Sequence, residues 1–242
     1  MPRWIIASFV CAGASAVLFA QAAAQVPGTP TSTTGGKSDL EVVQKLIAAR
    51  KDYQATLEQL RQIYLHAGDV ERARWAEDEL RQYHRIPKYA FRLDLDVPPP
   101  TLTGQTNVTE ANQLFIRAMS YKDKGWGADS VDNQRRAEIL FQELLSKYPH
   151  SNKISDAAYM LGDIYEKPPY KMFRRAAAYF ERCFQWNGNT THDARLRAAR
   201  LYDRQTIDRA RAMELYREVT THTHDAKQLQ EAERRLKELG TK

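Results

Sequence analysis

Cysteine is nearly missing from this chain. Two stand in 242 residues, Cys11 and Cys183, and Cys11 lies in the apolar N-terminal run. The remainder holds one thiol, so no internal disulfide can staple it and stability must come from packing. The short catalytic signatures are missing too. There is no G-x-S-x-G, no H-E-x-x-H, no phosphate loop and no dinucleotide-binding glycine fingerprint. Lys+Arg total 36 against 30 Asp+Glu, a net +6, but the surplus is interspersed. That distribution excludes the dense basic stripe of a nucleic-acid-binding protein.

One long apolar run is present, at the start. Met1, Pro2 and Arg3 give a short positive beginning, and Trp4 to Ala20 carries no charge. Ala20, Gln21 and Ala22, then Ala22, Ala23 and Ala24, both fit a small-x-small cleavage site. Residues 1–24 therefore read as a secretory signal peptide, with export across the inner membrane to the periplasm as the expected location. Two other readings stay open: an uncleaved membrane anchor through residues 4–20, and a lipoprotein at Cys11. Against lipidation, Ser8 stands three residues before Cys11 and the apolar run continues past it. Residues 25–38 are mostly Pro, Gly, Ser and Thr, too polar to order themselves, and read as a flexible tether.

What the rest has in abundance is helical periodicity with a repeat. Leu161, Gly162 and Tyr165 give L-G-x-x-Y, and a following helix carries Ala176, Phe180 and Cys183. The same A-x3-aromatic spacing occurs at Ala137, Phe141 and Leu144, and at Ala212, Tyr216 and Val219. Each such helix follows another that ends in a tyrosine, Tyr121, Tyr165 or Tyr202. Three residues earlier stand the small residues Ala118, Gly162 and Ala199. Residues at i, i+4 and i+7 share a helix face, and small residues let two helices approach closely while aromatics fill the volume beside them. The pattern resembles the tetratricopeptide (TPR) repeat family over residues 108–225, in three repeats. The tryptophan position departs, holding Leu114, Ala158 and Arg195, and the proline is kept only at Pro149. The extra residues relative to that family are expected in the turns "DKGWGADSVDNQRR" and "EKPPYKMFR".

Residues 39–85 read as a degenerate fourth hairpin with a long first helix. Val43, Leu46, Tyr53, Leu57, Leu60 and Tyr64 form its apolar stripe, Gly68 and Asp69 its turn, and Ala73 and Leu80 its return. The return helix is too short to cover the N-terminal half of the stripe. That half must meet the rest of the chain or a second copy, which leaves a homo-oligomer through 40–64 open. Residues 226–242 read as a C-terminal capping helix, with Leu229, Ala232, Leu236 and Leu239 on one face. Between hairpin and repeats, 86–107 reads as an extended Pro-rich arm. Tyr89, Phe91, Leu93, Leu95 and Val97 alternate with polar or small residues before Pro98, Pro99 and Pro100. The expectation is that the arm docks all five apolar side chains on its own helices.

The fold class is thus expected to be all-α, a TPR-like helical-hairpin solenoid with a long N-terminal hairpin and an extended linker arm. The resemblance extends to secreted bacterial cell-envelope TPR proteins, such as the coordinator of the Tol-Pal system and the TPR lipoprotein of the outer-membrane β-barrel assembly machine. It implies a non-enzymatic scaffold that binds a peptide or partner domain of the envelope in a groove, with no nucleic acid and no cofactor. Candidate partner-binding residues are Trp126, between two glycines, and the basic set Arg195, Arg197, Arg200 and Arg204. That set reads either as a solvated helix face or as a phosphate or anionic-surface site. His222 and His224 with Asp225 lack a third metal ligand at suitable spacing, so no metal is expected. Two rivals are a hydrolytic or carbohydrate-active enzyme on a helical solenoid, which would need paired buried carboxylates in a cleft, and a structural protein self-assembling through the first helix.

Overall fold

The computed structural model describes residues 38–241. The signal peptide, its anchor and lipoprotein alternatives, and the tether up to residue 37 lie outside the described residues. Among the described residues the chain is all-α. Its helices are α1 (Ser38–His66), α2 (Val70–Arg85), the single turn α3 (Leu93–Asp96), α4 (Thr109–Tyr121), α5 (Gly127–Lys147), α6 (Ile154–Glu166), α7 (Phe173–Trp186), α8 (Ala194–Arg204), α9 (Arg209–His222) and α10 (Ala226–Gly240). None is long and apolar enough to cross a membrane.

Local chemistry sets several of these boundaries. Gly68, at φ +71°, ends α1 in the left-handed conformation that glycine adopts without penalty, and the Asp69 amide closes back on the Tyr64 carbonyl at 2.9 Å. Asp69 then caps α2 by accepting from the Arg72 amide at 3.0 Å, as Asp208 caps α9 through the Arg211 amide at 3.0 Å. Asp225 caps α10 through the amides of Lys227 and Gln228. One expected turn is corrected. The insertion at 123–136 is mostly helix, because α5 begins at Gly127 and runs through Gln134 and Arg135, which are buried. The extra residues lengthen a helix against the core rather than a loop.

From α4 to α10 each helix packs on the next in sequence. Alternate helices are also joined by ion pairs. Asp163 of α6 receives Lys122, just beyond α4, at 2.6 Å and Arg197 of α8 at 2.8 Å. Arg200 of α8 reaches Glu231 of α10 at 2.5 Å, and Asp203 receives Arg235. On the other side, Arg211 of α9 forks onto Glu181 of α7. The chain thus forms two rows, α4-α6-α8-α10 and α5-α7-α9, with the core between them. Ala118, Ala137, Leu161, Tyr165, Ala176, Phe180, Cys183, Ala199, Ala212, Phe141 and Tyr216 are buried there, and Tyr121 and Tyr202 are half-buried at its edge. Gly162 is buried against the Phe180 ring.

The α1/α2 hairpin has its own small core of Leu57, Ala73, Ala76 and Leu80. It leans on α5, where Arg85 forks onto Asp132 at 2.8 and 2.7 Å. The N-terminal half of the α1 stripe meets its own chain. Val43, Leu46 and Ile47 face Tyr89 and Phe91 across a narrow gap, and Arg92 pairs with Asp39 at 3.1 Å.

The extended arm is corrected in part. The turn α3, closed by the Val97 amide on the Leu93 carbonyl at 2.9 Å, breaks the alternation. Val97 is 3% exposed, whereas Tyr89 and Phe91 are 61% and 63% exposed. Polar groups of α7 hold the segment instead. Arg175 reaches Asp96 at 2.6 Å and the Lys88 carbonyl at 3.2 Å. Arg182 donates to the Pro98 carbonyl at 2.6 Å, and Trp186 Nε1 to the Pro99 carbonyl at 3.0 Å. A proline-rich segment offers free carbonyls and few donors, so donors from a neighbouring helix are its natural partners.

Candidate functional site

Two surfaces gather chemistry. The first is the face of the α4-α6-α8-α10 row. The four arginines singled out in the sequence all lie on α8, and the structure divides them. Arg195 lies over the Phe184 ring at 4.7 Å and pairs with Glu218 at 3.5 Å; burial lowers its pKa. Arg197 lies over Phe180 at 4.4 Å and is held by Asp163, Glu166 and the Tyr159 hydroxyl. Neither is a solvated side chain, and neither is free for an outside anion. Both were expected on an open face; they are instead stitches between helices. Arg200 is also a stitch, forked onto Glu231 of α10, and Arg204 is the one of the four that opens outward. With Lys227, Gln230 and Arg234 of α10, and with Glu166 and Glu231, Arg200 and Arg204 line a cleft of about 750 Å³.

The electrostatics of that row are settled by Asp163. Burial alone would raise its carboxyl, but hydrogen bonds from Lys122 and Lys167, with Arg197 beside them, outweigh it and hold it at about 2. The carboxylate stays ionised and locks three elements together. Tyr159 beside it is pushed up to about 12 by burial and by its hydrogen bond to Asp193. On α4 the apolar side chains Ile116 and Met119 are exposed, and they share a stripe by their spacing.

The second surface is a cavity of about 430 Å³ where the α1/α2 hairpin, the 88–99 segment, α5 and α7 meet. A buried polar network forms its wall. Glu138 accepts from the Tyr165 hydroxyl at 2.9 Å, from the Tyr170 hydroxyl, and from Arg135 at 3.1 Å. Arg175 stacks on Tyr165 at 4.0 Å and Arg135 on Tyr170 at 3.9 Å. Burial alone would lower the Arg175 pKa, but Tyr165, Tyr179, Asp96 and Glu138 outweigh it and raise it. Burial raises the Asp96 carboxyl, opposed by Arg175. Lys88 is lowered to about 8, first by burial and then by Arg135; its ammonium lies over the Tyr83 ring at 3.8 Å and donates to the Tyr83 carbonyl. None of these residues except Tyr165 was marked in the sequence. A signal existed only at Glu138, which stands between Ala137 and the apolar Ile139, Leu140 and Phe141, and at Arg175, which precedes the apolar run from Ala176 to Phe180.

Trp126 belongs to neither surface. It caps the start of α5 and is 94% exposed. His222 and His224 do not converge with a third ligand, and no group of three metal-binding side chains occurs among the described residues. Comparison with family models, with curated proteins and with solved structures finds no match.

Proposed function

We propose that this chain is a non-enzymatic binding scaffold, a TPR-like stack of helical hairpins exported to the cell envelope, which holds a peptide or domain of an envelope partner against the α4-α6-α8-α10 row. The observation that carries the reading is the fixed and basic character of that row. Its internal charges are spent on stitching alternate helices, so the face is pre-organised, and the cleft beside Arg200, Arg204, Lys227 and Arg234 sets four cations against Glu166 and Glu231, with Glu166 already held by Arg197 and Arg234 paired with Glu238. A rigid face with surplus positive charge suits an acidic extended segment, because little ordering entropy is lost on the scaffold side. The exported location rests on residues 1–24 and on the TPR-like spacing of residues 108–225.

The test is site-specific photo-crosslinking in the native envelope. A crosslinker at position 204 or 234 should yield a discrete adduct, and one at Arg217, exposed on the opposite row, should not. Adducts equal at all three positions, or none at any, would remove this reading.

One observation favours the enzymatic rival. Asp96 and Glu138 are both enclosed and line the same cavity. Against it stands their chemistry, since Glu138 already accepts from two tyrosines and an arginine and Asp96 is paired with Arg175. A general acid or base needs a lone pair or proton directed at a substrate. Hydrolysis of an envelope polymer that Glu138→Gln abolishes, with the helical content unchanged, would favour the enzyme.

A further inference from the structure

The most exposed large apolar side chains among the described residues are Trp126, at 94%, and Ile207, at 83%. Both stand on turns that join the two helices of a hairpin, α4-α5 and α8-α9. These turns emerge at one edge of the molecule. Asp123 in the first turn lies 3.7 Å from Lys167 in the α6-α7 turn, and Glu166 and Arg204, which end α6 and α8, line one cleft.

The backbone holds both side chains outward. Trp126 sits between Gly125 and Gly127, both at positive φ (+81° and +56°). Ile207 is itself at φ +56°, a conformation that costs a β-branched residue free energy. Its turn is pinned on both sides, by the Thr206 amide on the Leu201 carbonyl and the Asp208 amide on the Tyr202 carbonyl. Around these tips Lys124, Lys171, Arg174, Arg204 and Arg209 are exposed, and Lys167, also exposed, is paired with Asp163 at 2.8 Å. Of the acidic groups closest in sequence, Asp123 is occupied by Lys122 and Gln134 and Asp208 by capping α9, while Asp129, three residues past Trp126, is exposed.

We propose that this turn edge docks on an anionic lipid surface. Trp126 and Ile207 enter the boundary between headgroups and acyl chains, and the flanking lysines and arginines face the headgroups. A tryptophan ring suits that boundary because one part is apolar and its N–H can stay wet. Basic residues next to an anionic surface strengthen binding on the order of fivefold each. The shape favours lipid over a peptide. The two apolar tips protrude, and they lie two helix spacings apart, on the order of 20 Å. A peptide bound on helices needs a groove for its side chains, whereas a deformable surface receives separated protrusions. The acidic-partner cleft of the α4-α6-α8-α10 row borders this edge at Glu166 and Arg204 but is lined by neither Trp126 nor Ile207, so the two readings are tested at different side chains.

The experiment uses the full chain with vesicles of phosphatidylglycerol in phosphatidylcholine, and of phosphatidylcholine alone, each with brominated acyl chains. Trp126 emission is taken as the difference between the chain and its Trp126→Phe variant. It should be quenched in the anionic vesicles and not in the neutral ones. Ile207→Ser should weaken the quenching-derived affinity about fivefold or more, and Lys124→Glu with Lys171→Glu by at least tenfold, with helical circular dichroism unchanged because all four side chains are exposed. Sedimentation of the protein with vesicles while Trp126 stays unquenched would place binding elsewhere, for example in residues 4–20, and overturn the proposal. Equal quenching in neutral vesicles, or no quenching in either, would also overturn it. So would a Trp126 emission shift produced by soluble polyglutamate and not by lipid, since that marks a peptide site.

Discussion

Gly162 shows how one missing side chain sets a helix crossing. A Cβ at this position would stand 2.6 Å from the Phe180 ring, and that ring is fully buried and cannot step aside. Replacing a mid-helix glycine ordinarily gains about 1 kcal/mol of helix propensity. Here overpacking, about 1–3 kcal/mol or more, opposes the gain. Gly162→Leu should therefore lower the urea midpoint clearly, while Gly188→Ala, where an added Cβ meets nothing within 4 Å, should leave it in place. An unchanged midpoint for Gly162→Leu would deny the close crossing. Lys88 makes a different residue-scale prediction. Its folded pKa is about 8 against an ordinary 10.5, so between those values the unfolded chain binds the proton and the folded chain does not. Stability must then rise with pH across that window, and the cost of enclosing the charged ammonium is fully present below about pH 8. In thermal melts, Lys88→Met should flatten the rise from pH 8 to 10.5; an unaltered pH profile would mean that Lys88 is solvated in the folded state.

At the scale of elements, the 88–99 segment is the joint between hairpin and stack, and charged and polar side chains hold it. Arg175 is its central fastener, touching Asp96, the Lys88 carbonyl and, at 3.9 Å, Glu138. Removing one partner of a buried ionic cluster leaves the others uncompensated, a loss of about 3–5 kcal/mol. Arg175→Leu should destabilise by that order and also release the segment locally. Trypsin cleavage after Arg92, half-buried and tied to Asp39 and Asp94, should then become early where it was late. If the variant loses stability but the Arg92 bond stays protected, Val97 and the α7 hydrogen bonds to Pro98 and Pro99 suffice to hold the segment. The long N-terminal helix and its return were legible from the spacing of Leu57, Ala73 and Leu80 and from Gly68. The course of the arm was only half legible. Alternation identifies a segment that is not a regular helix, but a single helical turn at Leu93–Asp96 resets the register of every side chain after it.

For the molecule as a whole, the sequence exposed its helical layout because small and aromatic residues at fixed spacing reflect helix packing directly. Asp163 and Glu138 were not legible, because their roles arise from which helices lie side by side, and no local pattern encodes that. The resulting molecule is uneven. α6 and α7 are enclosed by neighbours on both sides and supply Leu161, Tyr165, Phe180 and Cys183 to the core. The α1/α2 hairpin buries only Leu57, Ala73, Ala76 and Leu80 and reaches the stack through the contact of α2 with α5, the Arg85–Asp132 pair and the 88–99 segment. An element with few buried apolar side chains opens at lower free energy than one in the middle of a shared core. Amide hydrogen exchange should therefore be slowest in α6 and α7, intermediate in α4 and α9, and fastest in α1 and α2, with the hairpin opening as one unit. Asp132→Asn, which weakens the fork from Arg85, should speed exchange in α1 and α2 and leave α6 and α7 as they were. Uniform exchange rates across all helices, or acceleration of α6 by Asp132→Asn, would mean instead that the hairpin and the stack unfold as a single cooperative unit.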